Sequence, residues 1–312
     1  MTPTIFNPYR YTVDAPLSES LIVGGIVVAG GYGTDTWETY NQATTAFTQE
    51  ASVLPYVNSI MAGGGNKASS MVAGGLTFPS NTTNSATNTA GTWITNAYAL
   101  PAALGYAAGG GSPSDFLICG GSGHGNIYAN ACWENNSGAW VSGGTLGYQS
   151  YGKGFGGNSI TAIVAGGNGV GGSSGNQDIT ETYASSTWTT SSSVLQSGRH
   201  NFGMDGNVDG AIYMCGYGSL GYGQGNQCGT WSGGASGSWT TVAVLPTVAP
   251  ANTMAAANFI AGNDTEAVGG TGAGASYTYI PYMFEWNGAA GTWTRVGDLN
   301  IAREYAAGGM AN

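Results

Sequence analysis

The sequence contains few charged side chains. Aspartate, glutamate, lysine and arginine make up 7% of the 312 residues, and six basic residues face 16 acidic ones, which gives a net charge of −10. Such a surface repels phosphate backbones, and no cluster of basic residues offsets the acidic excess. The composition therefore argues against nucleic acid as a partner.

Long apolar segments are also missing. The best candidate, Leu21 to Ala29, is interrupted by Gly24 and Gly25, and it falls well short of the roughly 18 or more residues of a membrane span. The N-terminal stretch has no basic start followed by an apolar segment and a small-residue cleavage site. We therefore expect a soluble protein without membrane insertion and without a secretory signal.

Histidine is scarce. His124 and His200 are the two histidines of the chain, and they lack the short spacing of a metal-binding motif. No nucleophile elbow or phosphate-binding loop stands out, and the glutamates near strand aromatics (Glu38, Glu181 and Glu285) are interpreted as scaffold rather than acid/base pairs. The sequence thus predicts no enzymatic activity, no metal and no cofactor.

Glycine, in contrast, is abundant, with 56 residues. The glycines do not recur at every third position, as collagen requires, but cluster where an apolar run ends and a turn begins. Hydrophobic residues at 42% and aromatic residues at 11% are sufficient to build a core. The sequence therefore predicts a folded globular chain and not a fibre.

Three markers recur in the same order along the chain. An apolar run ends in a glycine pair or a variant of it at residues 28–31, 72–75, 118–121, 164–167, 214–217 and 267–270. An aromatic residue follows at Phe47, Trp93, Trp140, Trp188, Trp239 and Trp293. A leucine comes six or seven residues later, at Leu54, Leu100, Leu146, Leu195, Leu245 and Leu299. A period near 50 residues with several short strands per repeat predicts a β-propeller.

Each repeat divides into four short strands, so we expect an all-β fold of six four-stranded antiparallel blades. The inner strands are small and glycine-rich, and are predicted around residues 58–62, 104–108, 151–155, 201–204 and 253–257. A sixth candidate at residues 303–309 has no blade after it, so we expect this C-terminal strand to complete the first blade and close the ring. Residues 20–23 are the alternative.

The predicted domains are an extended arm, residues 1–20, and a single propeller, residues 21–312. Proline and aromatic residues dominate the arm, and this composition resists both helix and central strand. One interpretation is a docking arm that binds another subunit. The other is a strap along the edge of the propeller itself. The candidate docking residues are Phe6, Tyr9, Arg10 and Tyr11.

The four cysteines form two pairs with equal spacing. Cys119 and Cys132 are 13 residues apart, as are Cys215 and Cys228, and each pair begins just before a glycine marker. Neighbouring antiparallel strands can bring two Cβ atoms within disulfide range, so we expect the disulfides Cys119–Cys132 and Cys215–Cys228. The alternative is four buried thiols at positions that hold alanine in other repeats.

Tyrosines are concentrated in loops that we expect on one face. Strand direction alternates within a blade, so the loops after the second strands and the segments that lead into the inner strands open on the same side. Tyrosine combines apolar area with a hydroxyl group and suits recognition of glycans or proteins. The alternative is that these side chains cap strand ends. The candidate binding face comprises Tyr32, Tyr128, Tyr217, Tyr222, Tyr277, Tyr279, Tyr282, His124 and His200.

The repeated motifs resemble the kelch repeat, which has a glycine pair after an apolar strand, an aromatic on the next strand and then tryptophan. The resemblance covers about residues 20–310 and implies a six-bladed propeller. It departs from the family where Phe47 stands for the first tryptophan, where Gly216 and Tyr217 replace a glycine pair, and where most arginines are missing. Kelch-like propellers include enzymes, adaptors and binding proteins, so the fold does not fix the function.

The turns and low-charge loops are similar to those of kelch-like proteins of tailed bacteriophages. This similarity implies a virion structural protein, in a tail appendage or fibre or decorating the capsid. A particle made in the host cytoplasm and released to an oxidising exterior also suits disulfides in a chain without a secretory signal.

Three functions are compared. The first is a non-enzymatic virion protein that docks to other virion proteins through its arm or a loop face and contacts a host-surface glycan or protein. The second is a secreted or cell-surface glycan-binding propeller. The third is an oxidase or glycan-processing enzyme, which would depend on His124 or His200. The sequence favours the first.

Overall fold

The structure is a computed structural model that describes residues 26–31, 34–58, 60–77, 80–122, 129–136, 138–169, 175–218, 227–246, 256–273, 281–301 and 307–309. Within these ranges the chain forms β-strands, turns and loops, with one short 3-10 helix at Gly234–Ser236. No helix in this part of the chain is long and apolar enough to cross a membrane. The predicted all-β class is confirmed.

The strands are short, as the repeat predicts. In chain order they are β1 Ile26–Ala29, β2 Trp37–Asn41, β3 Ala46–Gln49, β4 Ala62–Gly65, β5 Ser69–Ala73, β6 Leu76–Thr77, β7 Ser80–Asn81, β8 Ser85–Thr89, β9 Thr92–Thr95, β10 Ala108–Gly110, β11 Leu117–Cys119, β12 Ala131–Asn136, β13 Ala139–Thr145, β14 Ser150–Tyr151, β15 Gly154–Gly157, β16 Thr161–Ala165, β17 Asn168–Gly169, β18 Gly175–Asn176, β19 Thr180–Ala184, β20 Thr187–Thr190, β21 Arg199–His200, β22 Gly203–Gly206, β23 Gly210–Met214, β24 Tyr217–Gly218, β25 Cys228–Ser232, β26 Ser238–Val242, β27 Ala256–Gly262, β28 Glu266–Ala273, β29 Met283–Asn287, β30 Thr292–Arg295 and β31 Ala307–Gly309.

Most of these strands form six four-stranded antiparallel sheets. In order of pairing they are sheet 1 (β31, β1, β2, β3), sheet 2 (β4, β5, β8, β9), sheet 3 (β10, β11, β12, β13), sheet 4 (β15, β16, β19, β20), sheet 5 (β22, β23, β25, β26) and sheet 6 (β27, β28, β29, β30). The first to fourth strands of a sheet are named below in this order.

Sheet 1 joins the two ends of the described chain. Strand β31 pairs with β1, so that Val27 lies opposite Gly309 and Ala29 lies opposite Ala307. The prediction that the C-terminal strand completes the first sheet is therefore confirmed. The alternative strand, residues 20–23, lies outside the described residues.

The first strands of consecutive sheets contact one another. Contacts join β4 to β10, β10 to β15, β15 to β22 and β22 to β27, and β31 contacts both β27 and β4. The six first strands therefore follow one another in a closed cycle. Glycine permits this approach, because a Cβ on Gly64 would lie 2.5 Å from the backbone N of Gly111.

Four of these first strands begin later than predicted. The predicted ranges end about where β4, β10, β15 and β22 start, and for the fifth range residues 253–255 lie outside the described residues. Before these four strands the chain forms a turn instead, with one left-handed residue two positions before the strand: Ile60 (φ 59°), Tyr106 (φ 54°), Gly152 (φ 64°) and Asn201 (φ 50°). The turns and the first strands have a similar amino-acid composition, so the sequence pattern placed the start of these strands too early.

The hydrophobic core consists of six clusters, each shared by two neighbouring sheets. Strand β1 shows the principle, because Ile26 and Val28 pack against sheet 6 while Val27 and Ala29 pack against sheet 2. Successive side chains of a strand point to opposite faces, so a fully apolar second strand serves two clusters. The clusters join sheet 6 to sheet 1 as well as each sheet to the next.

The recurrent aromatic of the fourth strand packs between sheets. Each of these residues belongs to, or packs against, the cluster that its sheet shares with the preceding sheet; they are Phe47, Trp93, Trp140, Trp188, Trp239 and Trp293. None of the six is exposed. The interpretation of these aromatics as packing between sheets is confirmed.

The predicted disulfides are absent from the structure, in which all four cysteines are buried thiols. Cys119 does lie opposite Cys132, but both pack as thiols in the cluster between sheets 3 and 4. Cys228 lies opposite Met214, because Cys215 has left the strand and adopts a left-handed φ of 61°. The disulfide prediction is therefore corrected to the alternative of buried thiols.

The conformation of Cys215 also shifts one glycine marker. The first glycine of the marker has φ between 61° and 67° at Gly30, Gly74, Gly120 and Gly166. Cys215 and Gly216 adopt the corresponding conformation in sheet 5, with φ 61° and 98°. The variant pair is therefore Cys215 and Gly216, one residue earlier than the pair identified in the sequence.

Candidate functional site

Two kinds of segment meet on one face of sheets 3 to 5. Next to sheet 4, β14 pairs with β17, and next to sheet 5, β21 pairs with β24, each in a small separate sheet. Next to sheet 3, Gly105 forms an isolated bridge with Ser122. The segments that lead into the first strands therefore lie beside the beginnings of the loops after the second strands, as predicted. This surface is termed the loop face.

Four rings follow one another across the loop face and are termed the aromatic row: Tyr106, Tyr151, His200 and Tyr217. The ring centroids of Tyr106 and Tyr151 are 5.3 Å apart, and those of Tyr151 and His200 are 5.9 Å apart, both with edge-to-face geometry. His200 stacks on Tyr217 with a centroid distance of 5.3 Å and an interplanar angle of 24°. All four residues are half-buried.

Backbone hydrogen bonds between neighbouring sheets set the spacing of the row. Tyr106 N–H donates to Ile60 O at 3.2 Å, Gly152 N–H donates to Tyr106 O at 3.0 Å, and Asn201 N–H donates to Gly152 O at 2.8 Å. These donors and acceptors are the left-handed residues of the turns before the first strands. One repeated turn therefore places each ring beside the ring of the next sheet.

Two asparagines adjoin the row. His200 Nδ1 lies 2.6 Å from Asn176 Oδ1, to which Asn168 Nδ2 also donates at 3.2 Å. Asn176 Nδ2 donates to Tyr217 O at 3.1 Å. Because a carbonyl oxygen accepts hydrogen bonds, His200 Nδ1 carries the proton of a neutral ring and Nε2 is an acceptor. The row thus combines ring surfaces with amide groups.

The aromatic row carries no net charge at neutral pH. Burial lowers the pKa of His200 to about 4, so its ring is uncharged at neutral pH. The neighbouring Arg199 is buried, and its guanidinium donates to Cys215 O at 2.9 Å and to Gln227 Oε1 at 2.7 Å. The Arg199 guanidinium is therefore bound to acceptors within sheet 5 and does not belong to the aromatic row. An uncharged, aromatic and amide-bearing strip can bind apolar or neutral polar groups.

The structure brings together two residues of the predicted binding face, His200 and Tyr217. Tyr282 lies elsewhere: it packs against the cluster between sheets 5 and 6, with the Arg295 guanidinium 4.0 Å from its ring centre. The other predicted face residues lie outside the described residues; they are Tyr32, Tyr128, Tyr222, Tyr277, Tyr279 and His124. The docking-arm residues Phe6, Tyr9, Arg10 and Tyr11 lie outside them too.

Three residues of the site were not predicted. Tyr106 follows Gly105 in a stretch that resembles the C-terminal strand, and this repeat was a usable signal. Asn168 and Asn176 belong to loops whose composition matches that of every other loop in the chain. Only the pairing of β17 with β18 shows that they lie beside His200.

A buried amine, Lys153, pairs with the buried hydroxyl of Ser150 just before β15 of sheet 4. Lys153 Nζ donates to Ser150 Oγ and lies 3.6 Å from the centre of the Tyr148 ring. Burial lowers the pKa of Lys153 to about 7. Both Lys153 and Ser150 are buried, which favours a structural role for the pair.

Two of the recurrent glutamates connect sheets. Glu38 of sheet 1 accepts hydrogen bonds from Asn300 N–H at 2.8 Å and Ile301 N–H at 3.2 Å, which follow sheet 6. Glu181 of sheet 4 accepts one from Gly147 N–H at 2.6 Å, which follows sheet 3. These bonds support the scaffold interpretation. Across the described ranges, no group of three or more His, Cys, Asp and Glu could hold a metal ion.

Comparison with known proteins identified no family. No protein-family model matches the chain, and no curated protein matches it. The resemblance to kelch repeats therefore stays an expectation from the sequence motifs.

Proposed function

We propose that the chain is a six-bladed, kelch-like β-propeller in which each four-stranded sheet is one blade. The cyclic contacts of the first strands support this proposal, as do the six clusters that join each sheet to the next. In this architecture β31 closes the ring, because it contacts both β27 and β4. Closure removes open sheet edges at the centre.

We further propose that this propeller is a non-enzymatic structural protein of a tailed-phage particle, in a tail appendage or fibre or on the capsid. The similarity of its turns and loops to those of kelch-like phage proteins supports this assignment. Three buried ionisable side chains of the described core, Lys153, Arg199 and Glu181, contact other parts of the scaffold. Binding, rather than chemistry, is therefore the proposed activity.

The aromatic row is the single observation that carries a binding function. Its rings cross three neighbouring sheets in continuous contact, and amide groups adjoin them. Aromatic side chains supply large contact area at low entropic cost and are enriched at protein interfaces. We propose that the loop face docks the propeller to another virion protein or to a host-surface glycan or protein.

The assignment is tested on particles that carry the chain. Mass spectrometry should detect it in gradient-purified particles, and electron cryomicroscopy should show a six-bladed density at a regular position. Particles that carry His200→Ala with Tyr217→Ala should lose the propeller or adsorb less well to host cells. A chain absent from purified particles contradicts the virion assignment.

The same row favours a second candidate, a secreted or cell-surface glycan-binding propeller. Stacked rings with adjoining amides suit a sugar, since ring faces pack on apolar sugar faces while amides bind hydroxyl groups. The isolated monomer would then bind neutral glycans on an array, and Tyr151→Ala would remove this binding. Binding by the monomer, with no copies in particles, would select this candidate.

A further inference from the structure

Two glutamates of sheet 6 face sheet 1. Glu266 lies in β28 and Glu285 lies in β29, opposite Val268. Because side chains alternate along a strand, Glu266, Val268 and Glu285 share one face of the sheet. Val268 packs in the cluster that joins sheet 6 to sheet 1. Both carboxylates therefore lie at the seam, as the boundary between sheets 6 and 1 is termed.

Gln42 reaches the same place from sheet 1. Its Nε2 donates to Glu266 Oε1 and lies 3.3 Å from Glu285 Oε1. The ion pairs found among the described residues, Lys67 with Glu50 and Arg295 with Asp298, involve neither carboxylate of the seam. Both carboxylates approach the same amide nitrogen, so two like charges lie close together at the seam.

Two buried oxygen atoms at the seam have no hydrogen-bond partner within the part of the chain that is described: Tyr40 Oη and Gln42 Oε1. Tyr40 is 2% exposed. It packs with Val268 in the cluster that joins sheet 6 to sheet 1. An unpaired buried oxygen is unfavourable unless a water or an ion binds it. The unpaired Tyr40 hydroxyl is independent evidence for a ligand at the seam.

We propose that the seam binds Ca²⁺ between Glu266 and Glu285. A half-turn of the Gln42 amide, whose O and N atoms are interchangeable in shape, directs Oε1 to the ion. Ca²⁺ accepts carboxylate, amide and water oxygens in a flexible geometry, so water molecules complete the shell and one of them binds Tyr40 Oη. The two carboxylates balance the charge of the ion. The ion thereby holds sheet 6 to sheet 1.

Calorimetry and thermal unfolding of the full chain test this proposal. The protein is treated with EDTA, dialysed and titrated with CaCl₂. We expect one ion per chain with a dissociation constant of about 10⁻⁴–10⁻³ M, since only two carboxylates contribute. The melting temperature should rise by about 2–4 °C at 10 mM CaCl₂ and less with MgCl₂, which demands a stricter octahedral geometry. No response of the wild-type protein overturns the proposal.

Isosteric variants distinguish the loss of the Ca²⁺ site from damage to the fold. Glu266→Gln combined with Glu285→Gln should abolish the response to CaCl₂. Without CaCl₂ this variant should melt no lower than the wild type, because the repulsion between the carboxylates is removed. Asp209→Asn, an exposed residue of sheet 5, makes the same kind of change and should retain the full response. An equal response in the double variant contradicts the proposal.

Discussion

Asp205 Oδ2 accepts a hydrogen bond from the backbone N–H of Gly262 at 2.9 Å, and this bond connects β22 of sheet 5 to β27 of sheet 6. Sheets 2, 3 and 4 have glycine at the corresponding position, directly before a left-handed glycine at the end of the first strand: Gly64, Gly110 and Gly156. A Cβ at Gly64 or Gly156 would meet the backbone of the next first strand. Between sheets 5 and 6, a carboxyl group makes the connection instead.

Asp205 should make the stability of the fold fall as the pH rises. Burial raises its pKa from 3.8 to about 7, so the folded chain retains a proton that the unfolded chain has lost. Its favourable contribution is therefore complete below about pH 4 and is lost as the pH rises through about 7. Asp205→Asn keeps an acceptor for Gly262 without a charge. Relative to the wild type, its melting temperature should rise by about 2–4 °C between pH 5 and pH 8.

Thermal unfolding at several pH values measures this difference. Asp298→Asn is the control, because Asp298 pairs with Arg295 at the surface at 2.8 Å, where screening leaves little net stabilisation. A difference between Asp205→Asn and the wild type that does not change with pH would refute the prediction.

Lys153→Met should have the opposite pH dependence. Burial lowers the pKa of Lys153 from 10.5 to about 7, so the unfolded chain holds this proton more strongly and the wild type loses stability as the pH falls from about 10 to 7. Methionine removes this penalty but also removes the hydrogen bond to Ser150 Oγ, which costs about 0.5–1.5 kcal/mol. Relative to the wild type, the variant should therefore be more stable at pH 6 than at pH 9.

The matched control for this substitution is Lys67→Met. Lys67 is 50% exposed and pairs with Glu50 at 2.5 Å. Such exposed pairs contribute about 0–1 kcal/mol, so this variant should show little dependence on pH between 6 and 9. A similar pH profile for the two variants would mean that the Lys153 amine is not desolvated.

The sequence was sufficient to predict the six four-stranded sheets and the closing strand. Glycine pairs mark left-handed turns, and a fourth-strand aromatic such as Trp93 is required wherever two sheets pack. Both requirements are local, so they recur visibly in the chain. The pairing of β31 with β1 could be predicted because the last inner strand of the sequence has no further strands after it with which to form a sheet.

Features that depend on contacts between repeats were not predictable in the same way. In sheet 4 an aromatic of the third strand, Tyr183, lies opposite the recurrent Trp188. Asparagine holds this position in sheets 2 and 3, where Asn88 lies opposite Trp93 and Asn135 lies opposite Trp140. Each asparagine accepts a hydrogen bond from the following turn, at Gly138 and Gly91, both at 2.9 Å. A turn-binding amide therefore replaces an aromatic in sheets 2 and 3, a substitution that periodicity cannot reveal. The aromatic row likewise depends on hydrogen bonds between sheets.

The cysteines should be unreactive until the chain unfolds. All four are at most 1% exposed, and burial raises the pKa of Cys228 to about 12 and those of Cys119 and Cys215 well above their ordinary value. Thiolates, the reactive form, are therefore rare in the native state. Ellman's reagent should detect almost no thiols in native protein and all four in denaturant. Detection of none in denaturant, restored by reductant, would instead establish two disulfides.

Substitutions of two neighbouring residues in β9 test whether the fourth strands hold the sheets together. Trp93 of β9 is 7% exposed and meets Trp37 of sheet 1 edge-to-face, with ring centroids 5.9 Å apart. The adjacent Ile94 points the other way and is 61% exposed. Trp93→Ala should lower the free energy of unfolding by about 3–5 kcal/mol, because it empties a cluster shared by two sheets, and Ile94→Ala by less than about 0.5 kcal/mol. Denaturant unfolding gives both values, and comparable losses would mean that Trp93 does not bridge sheets 1 and 2.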